Sequence, residues 1–187
     1  MSAAFPVIQK IPRLHGKNII LVDVQVEDAE FILSLRLDPR KSRHLSAVEG
    51  GIEKQREWIR QYRQSEGQAY FIICDRAGEK LGTVRIYDAA DDSFSWGSWI
   101  MKDGAPPSAG IESAVLVYQL ATISWGFSSA HFQVRPANAS VLAFHEKFGA
   151  KRVQESPQEI RLVIGKTQIE RSLRRYARYL PEQLLVE

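Results

Sequence analysis

Residues 103–127 limit what this chain can fold into more than any other stretch. DGAPPSAG (103–110) is a turn of glycine, proline and small residues, and IESAVLVYQLATISWGF (111–127) follows it directly, apolar on almost every side. A helix that is apolar all round must be buried, so other elements have to close on it from several directions. The candidates stand on either side. SFSWGSWIM (93–101) reads as a strand leading into the turn, and HFQVR (131–135) as a short strand stopped by Pro136. NASVLAFHEKFG (138–149) sets Val141, Phe144, His145 and Phe148 at helical spacing behind Asn138, a residue type that starts helices.

The rest of the chain supplies the layers. NIILVDV (18–24) is a short β-rich run. EDAEFILSLRLDP (27–39) reads as a helix ended before Pro39, and IEKQREWIRQYRQ (52–64) as an amphipathic helix with Ile52, Ile59 and Tyr62 on one face. QAYFIICD (68–75) and KLGTVRIYD (80–88) form a hairpin signal around Asp75–Gly78, and KRVQES (151–156) with EIRLVIGK (159–166) a second one around Pro157. QIERSLRRYARYL (168–180) is a separate helix with an arginine stripe, Arg171, Arg174, Arg175 and Arg178. This order predicts one mixed α/β domain, which 187 residues are enough to fill. The divisions expected are an arm over 1–17, the domain over 18–166 and a basic helix and tail over 167–187.

Composition removes several function classes. A net charge of +3 and a pI near 9.0 demand no nucleic-acid partner. No run approaches the roughly 18 consecutive apolar residues of a membrane span, and MSAAFPVIQK lacks the pattern of a secretory signal. A cytoplasmic protein is the resulting expectation. The one cysteine, Cys74, lies in an apolar run and reads as a buried structural thiol, and no Cys/His/carboxylate cluster has metal-ligand spacing.

At residues 96–149 the chain resembles the GNAT superfamily of acyl-coenzyme A-dependent N-acyltransferases. That family follows a small-residue phosphate loop with a long helix, and then has Asn-x-x-small-x-x-aromatic-Tyr-Glu-Lys-Leu/Phe-Gly. Asn138, Phe144, Glu146, Lys147, Phe148 and Gly149 match the second pattern. The resemblance extends over roughly 18–166. It implies a strongly twisted sheet of about six to seven strands flanked by helices, plus a C-terminal helix. It also implies transfer of an acetyl group from acetyl-coenzyme A to a primary amine, without a metal, by a monomer or homodimer.

The same resemblance assigns residues. The loop pattern is Arg/Gln-x-x-Gly-x-Gly/Ala, and neither register of 103–112 completes it: one puts Pro107 in the Arg/Gln position and Glu112 in a small-residue position, the other puts Ala105 in place of the Arg. Pro106 and Pro107 donate no N–H, so Ser108, Ala109, Gly110 and Ile111 are expected to cradle the cofactor diphosphate, with Glu112 pointing away from it. Ile100 or Met101 is expected to offer a backbone N–H to the acyl oxygen, and Asn138 and Phe144 to border the cofactor arm. His145 stands where the family commonly has the tyrosine that protonates the departing thiolate, and is expected to be the general acid. Arg40, Lys41, Arg43 and His44 are expected on the acceptor side, with Trp96 or Trp99 as a flat surface for a sugar or base. His44, Glu49 and Asp88 are candidates for the base that no spacing separates, while His15 and His131 read as incidental.

The first half of the chain is similar to the sugar-directed branch of the superfamily, which makes the expected acceptor a nucleotide-linked amino sugar. The alternatives are a protein N-terminal acetyltransferase of the ribosomal-protein type and a non-catalytic coenzyme A-binding protein.

Overall fold

The computed structural model describes residues 5–43 and 50–187. In chain order its elements are β1 (Arg13–His15), β2 (Ile19–Asp23), α1 (Ala29–Leu37), α2 (Pro39–Ser42), α3 (Gly51–Gln64), β3 (Ala69–Asp75), β4 (Lys80–Ala90) and β5 (Ser93–Met101). They continue with α4 (Pro107–Gln119), β6 (Ser129–Val134), α5 (Ala139–Phe148), β7 (Lys151–Glu155), β8 (Ile160–Gly165), α6 (Lys166–Arg175) and β9 (Leu185–Val186). The strands make a single sheet in the order β7-β8-β6-β5-β4-β3-β2-β1-β9. Every pairing in it is antiparallel except β5 with β6. The sheet exceeds the expected strand number because Arg13–His15, inside the expected arm, pairs with β2, and the chain end pairs with β1 as β9.

Alternation along the strands sends side chains to two different layers. On one face Phe71, Ile73, Val84, Ile86, Phe94 and Phe132 join the core that contains α4. On the other, Tyr70, Ile72 and Cys74 pack with Ile32 of α1 and with Ile59 and Tyr62 of α3. The side chains of α4 from Ala114 to Tyr118 have no solvent exposure, as an all-apolar helix requires. The last turns of its apolar run widen to π geometry over Leu120–Ser124, with Trp125 N–H donating to Leu120 O at 3.2 Å. α6 docks through Ile169, Leu173 and Tyr176, the last ring stacked on Phe148 at 5.6 Å, and leaves its arginines exposed. No helix among the described residues is long and apolar enough to cross a membrane.

Glu112 is fully buried in the first half of α4 and faces away from the turn that opens the helix. Its carboxylate accepts from Asn18 N–H at 2.7 Å, Ile19 N–H at 3.2 Å and Asn18 Nδ2 at 2.9 Å, so it caps the start of β2. Gly16 is required there by close approach: a Cβ on it would lie 2.6 Å from Glu112 Oε1 and 2.7 Å from Leu116 Cδ1. The expectation that Glu112 points away from the phosphate loop is met, and the reason is a buried carboxylate tying the helix to the sheet.

Candidate active site

β5 and β6 are hydrogen-bonded only at their beginnings, where Ser93 pairs with Ser129 and Phe94 with Ala130. Beyond that point they diverge. β5 keeps β4 on its other side as far as Met101, and β6 keeps β8 as far as Val134. One backbone edge of each strand therefore runs without a strand partner along a cleft of about 510 Å³. Unpaired peptide groups at a sheet edge are a ready template for an extended ligand that carries amides.

The cleft passes between the two faces of the sheet, and its two mouths differ in chemistry. Toward α4 and α5 it is lined by Trp96, Trp99, Phe132, Val141 and His145. Toward α3 it is lined by Arg85, Tyr87, Asp88, Ser95 and Gln133. A bulge in β5 arranges the apolar mouth. Thr83 pairs with Ile100 and Arg85 with Gly97, so β5 carries one residue more than β4 over this interval. Ser98 takes up the extra length at φ +46°, and its carbonyl accepts from Thr83 Oγ1 at 2.7 Å. The bulge returns Trp99 to the face of Trp96, and the two rings meet at 5.3 Å. Trp99 Nε1 donates to Ser113 Oγ at 3.1 Å, which fixes the ring against the first turns of α4.

His145 is 4% exposed. Its ring stacks on Phe132 at 3.8 Å and meets the edge of Trp96 at 5.4 Å, and its Nδ1 is buried without a hydrogen-bond partner. Burial among rings disfavours the imidazolium and lowers the pKa to about 4. At neutral pH the residue is a neutral imidazole facing the cleft. A neutral imidazole in this position can donate a hydrogen bond to an atom that enters the cleft.

Asn138 occupies the N-cap position of α5, yet its side chain makes no cap hydrogen bond. It lines the cleft, and its Oδ1 accepts from Ser140 Oγ at 3.3 Å. Helix α4 opens at Pro107 with exposed Ser108 and buried Ala109 and Gly110. Ala109 N–H donates to Pro106 O at 2.9 Å, and in a helix that starts at Pro107 the N–H groups of Gly110 and Ile111 enter the ladder, which leaves Ser108 N–H as the donor of the four outside it.

Residues 18–151 match the Acetyltransferase (GNAT) domain family. The chain belongs to this GNAT family. No curated protein matches the chain. Among solved structures it is similar to FdhC in its apo form, a nucleotide-linked sugar GNAT, at 36% identity over 90% of this chain and 98% of that one, with a TM-score of 0.80. Two further structures share the fold at low identity. A GCN5-related N-acetyltransferase from Brucella melitensis is 13% identical over 97% of this chain and 91% of that one, with a TM-score of 0.76. The SpeG spermidine N-acetyltransferase from Vibrio cholerae is 12% identical over 82% and 96%, with a TM-score of 0.68.

Seen as a GNAT acyl-coenzyme A N-acyltransferase, the chain brings only part of the expected site to the cleft. Trp96, Asn138 and His145 line it. Phe144 packs behind them, 4.8 Å from the Trp99 ring. Ile100 and Met101 do not line it. They are paired with Thr83 and Gly82 of β4, and the bulge makes Gly97, Ser98 and Trp99 the cleft-lining segment instead. Arg43 is exposed just beyond α2, outside the cleft lining. Arg40 and Lys41 are already matched with carboxylates: Asp103, in the turn before α4, lies 2.8 Å from Arg40 and 2.9 Å from Lys41. Arg40 also holds the Asp38 carboxyl down to about 2. His44 and Glu49 lie outside the described residues.

Two features of the polar mouth were not read from the sequence, one residue and one side-chain network. Arg85 is one. The other joins three strands: His131 of β6 lies 3.1 Å from Asp88 Oδ2 through Nε2 and 2.7 Å from Ser93 Oγ through Nδ1. With Asp88 ionised, Nε2 carries the hydrogen and Nδ1 accepts from the Ser93 hydroxyl. Asp88 itself sits at φ +55° and lines the cleft. Of the three base candidates it is the one seen at the site, and His131, read as incidental, orients it.

Proposed function

We propose that the chain is a cytoplasmic N-acetyltransferase that moves an acetyl group from acetyl-coenzyme A to the primary amine of a nucleotide-linked amino sugar. The observation that carries this reading is the cleft between diverging β5 and β6, apolar at one mouth and polar at the other. Two substrates entering from opposite faces of the sheet meet there. The 36% identity to a nucleotide-linked sugar GNAT supports the acceptor class.

In this reading the unpaired edges of β5 and β6 hold the amide-bearing arm of acetyl-coenzyme A as an added strand, and the first turn of α4 takes its diphosphate. Asp88, oriented by His131, accepts a proton from the ammonium at the polar mouth. The neutral amine attacks the thioester carbonyl. The carbon–nitrogen bond forms, the carbon–sulfur bond breaks, and the neutral imidazole of His145 donates a hydrogen bond to the sulfur as negative charge develops on it. The nitrogen then gives up its remaining extra proton to solvent, and solvent protonates the thiolate.

A free-thiol assay with nucleotide-linked amino sugars beside N-terminal peptides and polyamines tests the acceptor. Thiol release is expected with the sugars. Release with peptides or polyamines alone contradicts the proposal. In the same assay Asp88→Asn is expected to lower kcat by about 10²-fold at neutral pH, with the loss shrinking as rising pH deprotonates the amine in solution. An unchanged pH profile removes Asp88 from the proton path.

A further inference from the structure

Arg85 enters the polar mouth from β4, opposite Gly97 at the bulge of β5. Its guanidinium is half-buried and lies over two aromatic rings, 5.2 Å from the centre of Trp58 and 5.0 Å from that of Tyr87. Gln68 Oε1 accepts from its Nε at 2.9 Å and also from Nη2. The charged and ionisable groups acting on it are the phenols of Tyr87, Tyr70 and Tyr62 and the like-charged Arg36. Among the described residues no carboxylate forms an ion pair with it, and Asp88 lines the same mouth. Two other cations that are not fully exposed do have carboxylates: Lys41 has Asp103 at 2.9 Å and Lys80 has Asp28 at 2.7 Å. Taking a guanidinium out of water without a counterion is costly, and a ligand that brings an anion removes that cost.

The geometry also says what shape of anion fits. Gln68 uses the Nε–Nη2 side of the guanidinium. The Nη1–Nη2 edge remains, and that edge is itself a planar fork suited to two oxygens of one phosphate or carboxylate. The diphosphate of acetyl-coenzyme A is assigned to α4, on the opposite face of the sheet, so the anion at Arg85 belongs to the other substrate. We propose that the Nη1–Nη2 edge of Arg85, framed by Trp58 and Tyr87, anchors the diphosphate of the acceptor and sets the distance from it to the amine. This rests on the nucleotide-linked sugar reading above, and it makes Arg85 a specificity-determining residue that separates nucleotide-linked from free amino sugars.

The test is a titration of UDP and dTDP, with uridine and thymidine as the matching phosphate-free probes. It is run on the wild-type chain and on Arg85→Met and Arg85→Lys, all in excess coenzyme A so that binding at α4 does not report. A nucleoside diphosphate is expected to bind the wild type more tightly than its nucleoside. Arg85→Met is expected to weaken the diphosphate by about 10- to 100-fold and the nucleoside by less than about threefold. Arg85→Lys keeps the charge but loses the fork and is expected to fall between the two, which decides the matter should Arg85→Met fail to fold. Equal diphosphate affinity in the wild type and a folded Arg85 variant overturns the anchor and leaves the acceptor class standing. Absence of nucleoside diphosphate binding to the wild type, with thiol release on a different class of amine, overturns the acceptor class and the anchor together.

Discussion

Glu112→Ala is expected to lower the melting temperature by roughly 5–15 °C, against the small change expected of a surface glutamate near a helix start. The carboxylate is fully buried and is the acceptor for Asn18 N–H and Ile19 N–H. Alanine leaves both backbone donors without that acceptor at the start of β2. An unsatisfied buried donor costs about 1–3 kcal/mol, so two of them give about 2–6 kcal/mol before the cavity is counted, and the lower and middle part of that range corresponds to the expected shift. Helix propensity alone favours alanine over glutamate and would not lower the stability. Gly16→Ala should destabilise in the same direction, because its new Cβ would lie 2.6 Å from the same carboxylate oxygen. Urea unfolding of the single and double variants checks the coupling: the double variant should lose less than the sum of the singles, since both act on one contact. Additive losses would mean that the Glu112 cap and the Gly16 approach are independent. The coenzyme A affinity of folded Glu112 variants should not rise, because the side chain does not face the diphosphate turn.

His145→Phe is expected to lower kcat by about 10²-fold while changing KM for acetyl-coenzyme A little. Phenylalanine preserves the packing against Phe132 and Trp96 and removes only the nitrogen facing the cleft. The same variant has a signature in stability. In the unfolded chain the imidazole takes up a proton near its ordinary value of 6.5, whereas the buried residue resists until about 4. The unfolded state thus binds more protons between these values, and stability falls as pH drops through that window. The wild type should lose ~3 kcal/mol more than His145→Phe on going from pH 7 to pH 4, the carboxylates common to both cancelling in the comparison. Parallel denaturation curves for the two proteins across this range would show that the imidazole is solvated and not held neutral. Full turnover by His145→Phe, with the chemical step limiting, would assign the hydrogen bond to another group.

Much of the fold could be read from residue pattern because the pattern had one solution. An all-apolar helix after a Gly/Pro turn had to be central. The two hairpin signals gave β3–β4 and β7–β8, and the spacing from Asn138 to Gly149 gave α5. The arm was harder, because β1 and β9 span three and two residues and hold their places by pairing alone. Asn138 and His145 at α5, and Trp96 and Asp88 on strands, were named from the sequence and line the cleft, but the way the strands bring their residues together was not legible. A one-residue bulge at Gly97–Ser98 leaves no mark in composition, yet it moves the cleft lining upstream of Ile100 and Met101 and turns Trp99 beside Trp96. Asp88, Ser93 and His131 come from three strands and meet only through register. Arg85 looks like any strand arginine until its surroundings show two aromatic rings and an amide. The burial that holds His145 neutral comes from Trp96 and Phe132 on two different strands, which helical spacing alone does not reveal.

The most direct measurement of the central claim is the melting temperature of the chain with saturating acetyl-coenzyme A, beside coenzyme A, ATP and buffer alone. A ligand held only by the folded state at about 100 times its Kd adds about 2.7 kcal/mol, or roughly 5–10 °C for a chain of this size. Acetyl-coenzyme A and coenzyme A should each raise the melting temperature in that range, and ATP, which lacks the amide-bearing arm that the β5–β6 edges take, should raise it far less. No shift with acetyl-coenzyme A, or one no larger than with ATP, would contradict the assignment of the cleft.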